Sequence, residues 1–171
     1  MYTRSRARAV GIAGICLAFA GWAQTPSRPP VAAGKAPMRH RATGTFEVKM
    51  NPLPLDDKEA DATLGRFSID KQFHGDLQGG SKGEMLSAGT AMKGSAGYVA
   101  IERVSGTLHG RTGAFALQHL GVMNRGAAQL SVSVVPDSGT GQLVGLAGKM
   151  NILIEAGKHS YDFEYSLPEQ P

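Results

Sequence analysis

Six residues have the types and spacing for chemistry: Glu102, His119, His159, Tyr161, Phe163 and Tyr165. A carboxylate beside an imidazole can move a proton or hold a polar group. Alternate aromatic rings along one strand make an apolar wall for a small molecule. In GAFALQHLG, His119 has the parity of Phe115 and Leu117, while Gln118 faces the other way. In GKHSYDFEYSL, His159 has the parity of Tyr161, Phe163 and Tyr165, with Ser160, Asp162 and Glu164 opposite. In GYVAIERVSG, Glu102 shares a side with Tyr98, Ala100 and Val104, against Val99, Ile101 and Arg103. Those two sides are almost equally apolar, so alternation leaves the side of Glu102 open.

Two roles fit this set. Glu102, His119, His159, Tyr161 and Tyr165 can surround one cavity together with Phe163; or Glu102 and His119 form a buried hydrogen-bonded pair that fixes register while the tyrosines fill a core. No residue is assigned as catalytic. The histidines at 74, 109, 119 and 159 show no paired ligand spacing, so no metal is expected. A nucleophile elbow of the Gly-x-Ser-x-Gly kind is absent. Gly139, Gly141 and Gly145 are spaced one residue wider than a dinucleotide fingerprint and lead into a strand instead of a helix, so no nucleotide or other cofactor is expected.

The elements that must position these side chains are strands. ATGTFEVKM puts Phe46, Val48 and Met50 on one face, and GRFSIDKQF does the same with Phe67, Ile69 and Phe73. Further strands are expected over 82–92, 97–108, 113–123, 129–135, 145–155 and 160–167, eight in all. Short turn signals separate them: Gly79-Gly80, Gly94-Ser95, His109-Gly110-Arg111, Asn124-Arg125-Gly126, Asp137-Ser138-Gly139 and Ala156-Gly157-Lys158. Only the link from Pro52 to Thr63 is long, with a helical turn expected over Asp56 to Ala62. Eight antiparallel strands in sequential order leave two bare edges unless the sheet closes, which favours an up-and-down barrel over a two-sheet sandwich.

Upstream, Arg4, Arg6 and Arg8 precede the uncharged run Ala9 to Ala20 and the small residues Gly21 and Ala23. This reads as a signal peptide over residues 1–23, cut before Gln24. Its apolar run falls short of the roughly twenty residues that span a bilayer, so no integral membrane segment is expected after cleavage. The bulky Ile15 before Cys16 argues against lipidation. Cleavage removes the only cysteine, leaving a periplasmic or secreted domain that depends on its hydrophobic core. Residues 24–41, with four prolines, read as a disordered tether, and residues 42–168 as one barrel domain.

The formal charge of +4 misleads about partners. Seven of the 18 Lys and Arg lie before Ala42, whereas all 14 Asp and Glu lie after it, so the domain itself is net negative. A nucleic-acid partner needs a basic patch on the folded surface and is not expected.

The runs GYVAIERVSGTLHGRTGAFALQH, SGTGQLVGLAG and GKHSYDFEYSL together resemble the DUF3224 family of bacterial proteins. The resemblance spans about residues 42–167. It implies a closed eight-stranded antiparallel meander similar to the allene oxide cyclase barrels, with a Gly-Thr-Gly turn like that of dirigent proteins. The resemblance also implies an acidic residue after Gly-Thr-Gly; Gln142 stands there, so no carboxylate role carries over. The family carries fold more than function. The resulting expectation is an exported barrel that binds a small, mostly apolar molecule inside. The alternatives are an isomerase or cyclase of the allene oxide cyclase type and a non-enzymatic interaction module that forms homo-oligomers.

Overall fold

The computed structural model describes residues 38–55 and 63–168. The expected signal peptide, most of the tether and the expected helical turn at 56–62 lie outside the described residues. Eight strands follow in order: β1 (Arg39–Leu53), β2 (Leu64–Gly75), β3 (Leu77–Gly89), β4 (Ala96–Leu108), β5 (Arg111–Asn124), β6 (Ala127–Val134), β7 (Ala147–Glu155) and β8 (Lys158–Ser166). Each pairs antiparallel with the next, and β8 returns to β1 to close the barrel. Closure removes the bare edges that an open meander would leave. The described residues contain no α-helix, and none of their helices is long and apolar enough to cross a membrane.

Alternation decides what faces inward. Phe46, Phe73, Val104, Phe115, Leu117, Val132, Met150, Tyr161 and Phe163 all belong to one buried cluster. The side of Glu102, left open by the β4 pattern, is the inside: Ala100, Glu102 and Val104 are buried while Val99, Ile101 and Arg103 are exposed.

Three segments differ from their sequence reading: Arg39–Arg41, read as the end of the tether, belong to β1 and pair with β8. Gly79-Gly80 is not the β2–β3 turn but lies within β3; the chain reverses at Gly75 and Asp76. Gly79 sits opposite Gly106 of β4 at φ 149°, and a Cβ there would collide with the Ser105 carbonyl. The glycine pair lets the two strands approach closely. The third difference is at Asp137 to Gly145, where Gly141–Leu143 forms a 3-10 helix and β7 begins only at Ala147.

This loop stands in for a missing strand. β6 pairs with β5 only from Leu117 onward, leaving the first amides of β5 without a neighbour. The Thr112 N–H donates to Oε1 of Gln142 at 2.8 Å, the Ala114 N–H to Oγ1 of Thr140 at 3.1 Å, and the Ala116 N–H to Oγ of Ser138 at 3.0 Å. Alternate strand amides are thus satisfied by alternate loop side chains. Gln142 therefore has a structural task where the resemblance implied an acid. Leu143 and Leu146, both buried, plug this end of the barrel.

Candidate functional site

Four successive strands each contribute one polar side chain to the interior: Lys71 from β2, Ser81 from β3, Glu102 from β4 and His119 from β5. Lys71 lies opposite Ser81, Ser81 opposite Val104, and His119 opposite Ala100, so the four form a slanted row that follows the stagger of the strands. Gly83 makes the room. It lies opposite Glu102, and a Cβ there would come within 2.7 Å of the Glu102 Cβ.

Glu102 is the hub. Its Oε1 accepts from the Lys71 Nζ at 2.8 Å and from the His119 Nε2 at 2.8 Å, and its Oε2 accepts from the Ser81 hydroxyl at 2.6 Å. Burial is the largest single influence on this carboxyl and by itself would raise its pKa. The hydrogen bond from His119, the charge and hydrogen bond of Lys71 and the Ser81 hydroxyl outweigh it and hold the group at about 2. Lys71 also lies over aromatic faces, 5.0 Å from the centre of Phe46 and 5.9 Å from that of Phe73.

An ionised carboxylate only accepts hydrogen bonds. In the neutral imidazole, Nε2 of His119 must therefore carry the hydrogen, and Nδ1 is left as a bare acceptor. Nδ1 has no hydrogen-bond partner among the described residues. Tyr98, half-buried on the same face of β4, lays its ring across Gly121 of β5, where a Cβ would overlap it. Burial, and then the charge of Glu102, raise the Tyr98 phenol above its ordinary value.

The six residues singled out from sequence fall in two places. Glu102 and His119 meet in the hub. His159 is half-buried on β8 with its ring 5.1 Å from that of Phe46, which also meets Lys71 and Phe73, so it borders the same region. Tyr161, Phe163 and Tyr165 run away from it toward the plugged end. The Tyr161 hydroxyl accepts from the Leu77 N–H at 2.8 Å and donates to the His74 carbonyl at 3.2 Å. Phe163 stacks on Phe115 at 5.9 Å and on Tyr165 at 5.2 Å. The Tyr165 hydroxyl hydrogen-bonds Nδ1 of His109 at 2.7 Å, and His40 stacks on the Tyr165 ring.

The opposite end is covered less by the described residues. Met50, Leu130 and Ile154 have inward parity yet are 45%, 43% and 64% exposed. β6 and β7 pair at a single position, Ser133 with Lys149.

A family described as "Protein of unknown function (DUF3224)" matches residues 42–165. The chain belongs to the DUF3224 family. A crystal structure of a DUF3224 protein with unknown function from Shewanella oneidensis MR-1, at 1.84 Å resolution, is similar at 48% identity and a TM-score of 0.73. It covers 78% of this chain, and all of that protein is matched. No curated protein matches. Membership in DUF3224 thus agrees with the three motif runs in β4–β5, the Ser138–Gly148 segment and β8, and leaves activity to be argued from the site.

Lys71 and Ser81 are the site residues that motif reading missed. Lys71 shares parity with Phe67, Ile69 and Phe73, and a charged residue in an inward row is the signal that finds it. Ser81 carries no such signal, since a serine is at home on either face of a strand.

Proposed function

We propose that this DUF3224 barrel binds a small, mostly apolar molecule at its less covered end, with the molecule's polar group directed at His119 and Lys71. The observation that carries the reading is the set of inward-facing aliphatics left exposed, Met50, Leu130 and Ile154, at the end beyond a buried charge network. Aliphatic side chains facing a barrel interior are ordinarily covered, and an apolar concavity with a few convergent polar groups is the usual form of a small-molecule site. The Nδ1 of His119 accepts a hydrogen bond from a hydroxyl or amide of the ligand. The two N–H groups of Lys71 not given to Glu102 donate to a carbonyl or carboxylate. Tyr161, Phe163 and Tyr165 form the packed base beneath.

The test is a thermal-shift series with medium-chain alcohols, ketones and carboxylic acids, since a ligand that binds only the folded state raises the midpoint. Upward shifts that shrink in His119→Gln and Ile154→Glu support the reading. A flat response across the series, or shifts untouched by both substitutions, overturns it.

Proton transfer is a second reading, favoured by one observation: Glu102 orients His119 through Nε2 and leaves Nδ1 as a base. Isomerisation of a carbonyl ligand through its enol fits that pair. Solvent deuterium entering the carbon beside the carbonyl of a bound ketone, and failing to enter in His119→Gln at unchanged binding, is the expected result.

We also propose that the barrel acts outside the cytoplasm after removal of residues 1–23. Mass measurement of the protein from the periplasmic and extracellular fractions should give a chain starting at Gln24; an intact N-terminus in the cytoplasm would overturn this.

A further inference from the structure

The outer face of β2 to β5 departs from the polar exterior that alternation gives the rest of the barrel. The register sets Leu86, Val99 and Leu120 side by side across β3, β4 and β5, each about half exposed. A hollow lies on either side of this ridge, and the same three side chains wall both. One, of about 360 Å³, has Ala88, Gly97 and Gly121 along its floor and Leu64 and Val122 at its ends. The other, of about 580 Å³, extends past Ile101 to Gln118 and is bordered by Arg66 and Glu84, paired at 2.9 Å. The floor at Gly97 is open, for a Cβ there meets nothing nearer than 3.8 Å.

We propose that this face is a two-fold interface between two copies of the chain, each seating its Leu86–Val99–Leu120 ridge in a hollow of the other. Shape selects a second copy over an unrelated partner. A ridge flanked by hollows is complementary to itself under a two-fold rotation, the requirement of an isologous contact. Charge agrees. The border carries both signs, with Arg66 beside Glu84 and Lys82 beside Asp70 at 2.8 Å, so a rotated copy meets no field of one sign. Area agrees as well. With Leu64, Ile101 and Val122, six half-exposed aliphatics present roughly 500 Å² of apolar surface, near the top of the range for the largest patch on a single-chain protein, which is often functional. A polar border brings the face near the roughly 800 Å² per partner of a stable interface. The proposal does not depend on the ligand reading, because these side chains point out of the barrel.

Sedimentation equilibrium on the purified protein, beside the variants Val99→Asp and Gly97→Leu, decides it. Val99→Asp puts a charge on the ridge; Gly97→Leu fills a hollow without burdening the barrel. Twice the chain mass for the wild type and one chain mass for both variants, with unchanged far-ultraviolet circular dichroism, is the expected result. A wild type of one chain mass at every concentration, a trimer, or a folded variant that still dimerises overturns the proposal. Should Val99→Asp fail to fold, Gly97→Leu alone decides.

Discussion

The two ends of the barrel interior use the same inward positions for opposite ends. Toward the plug of Leu143 and Leu146, ring meets ring from Phe115 through Phe163 to Tyr165, and the tyrosine hydroxyls are committed to Leu77, His74 and His109. Toward the other end, a charged hub lies below aliphatics that the described residues leave 43–64% exposed. The first arrangement has little hydrogen-bonding capacity to spare. The second keeps an imidazole nitrogen without a hydrogen-bond partner among the described residues, beside a buried ion pair that is costly to break from one side. One end is thus closely packed, the other is the end to which the proposed ligand is assigned, and substitutions should separate the two.

The largest effect is expected at the plugged end. Phe163→Ala removes a fully buried ring from a stacked column and should cost about 3–5 kcal/mol in urea denaturation. If the division holds, any ligand-induced rise in midpoint survives in this variant. Loss of the ligand response at a comparable folded fraction would break the comparison, because the aromatic column would then belong to the site.

At the hub, Glu102→Gln keeps the shape but leaves the Lys71 ammonium buried without its counter-charge, a loss of about 3 kcal/mol. Adding Lys71→Met should restore much of it, and a double-mutant cycle over the two measures the coupling. The same pair sets an acid limit. Glu102 titrates near 2 in the fold against an ordinary 4.5, so its contribution is fully present above 4.5 and is lost as the pH falls from 4.5 toward 2. The window is worth on the order of 3 kcal/mol. Stability measured against pH should fall across it in the wild type and more shallowly in Glu102→Gln; parallel curves would show that the hub does not govern acid stability.

How much of this the residues disclose depends on the quantity asked for. Period two gives the face of a strand, so His119 and the β8 aromatics were legible as inward-facing from their neighbours alone. It does not give height along the barrel, because height is set by register, and register follows turns and bulges that a glycine pair can mimic. Gly79-Gly80 reads as a hairpin and serves instead as a crossing point with Gly106. The separation of His159 near the hub from Tyr165 at the plug was therefore invisible, although one alternating run contains both. Lys71 was hidden for another reason: a lysine is ordinarily solvated, and only the carboxylate two strands away, with the rings of Phe46 and Phe73, makes an inward one tolerable.

The smallest stability effect carries the most direct functional information. Ile154 has the parity of buried Met150 but is 64% exposed, so Ile154→Glu gives up little burial and should change stability by no more than about 0.5 kcal/mol. The substitution nevertheless sets a carboxylate at the lip of an apolar mouth, where an apolar ligand must displace its hydration shell. Thermal-shift titration of the variant should show a midpoint close to the wild type without ligand and a reduced rise with it. A large drop without ligand would mean that Ile154 packs into the core and the mouth is closed in solution, which would join the two ends into one continuous interior. An undiminished rise would place any bound molecule elsewhere. Because folding and binding move separately in this one variant, it tests the division between the ends with the least disturbance to either.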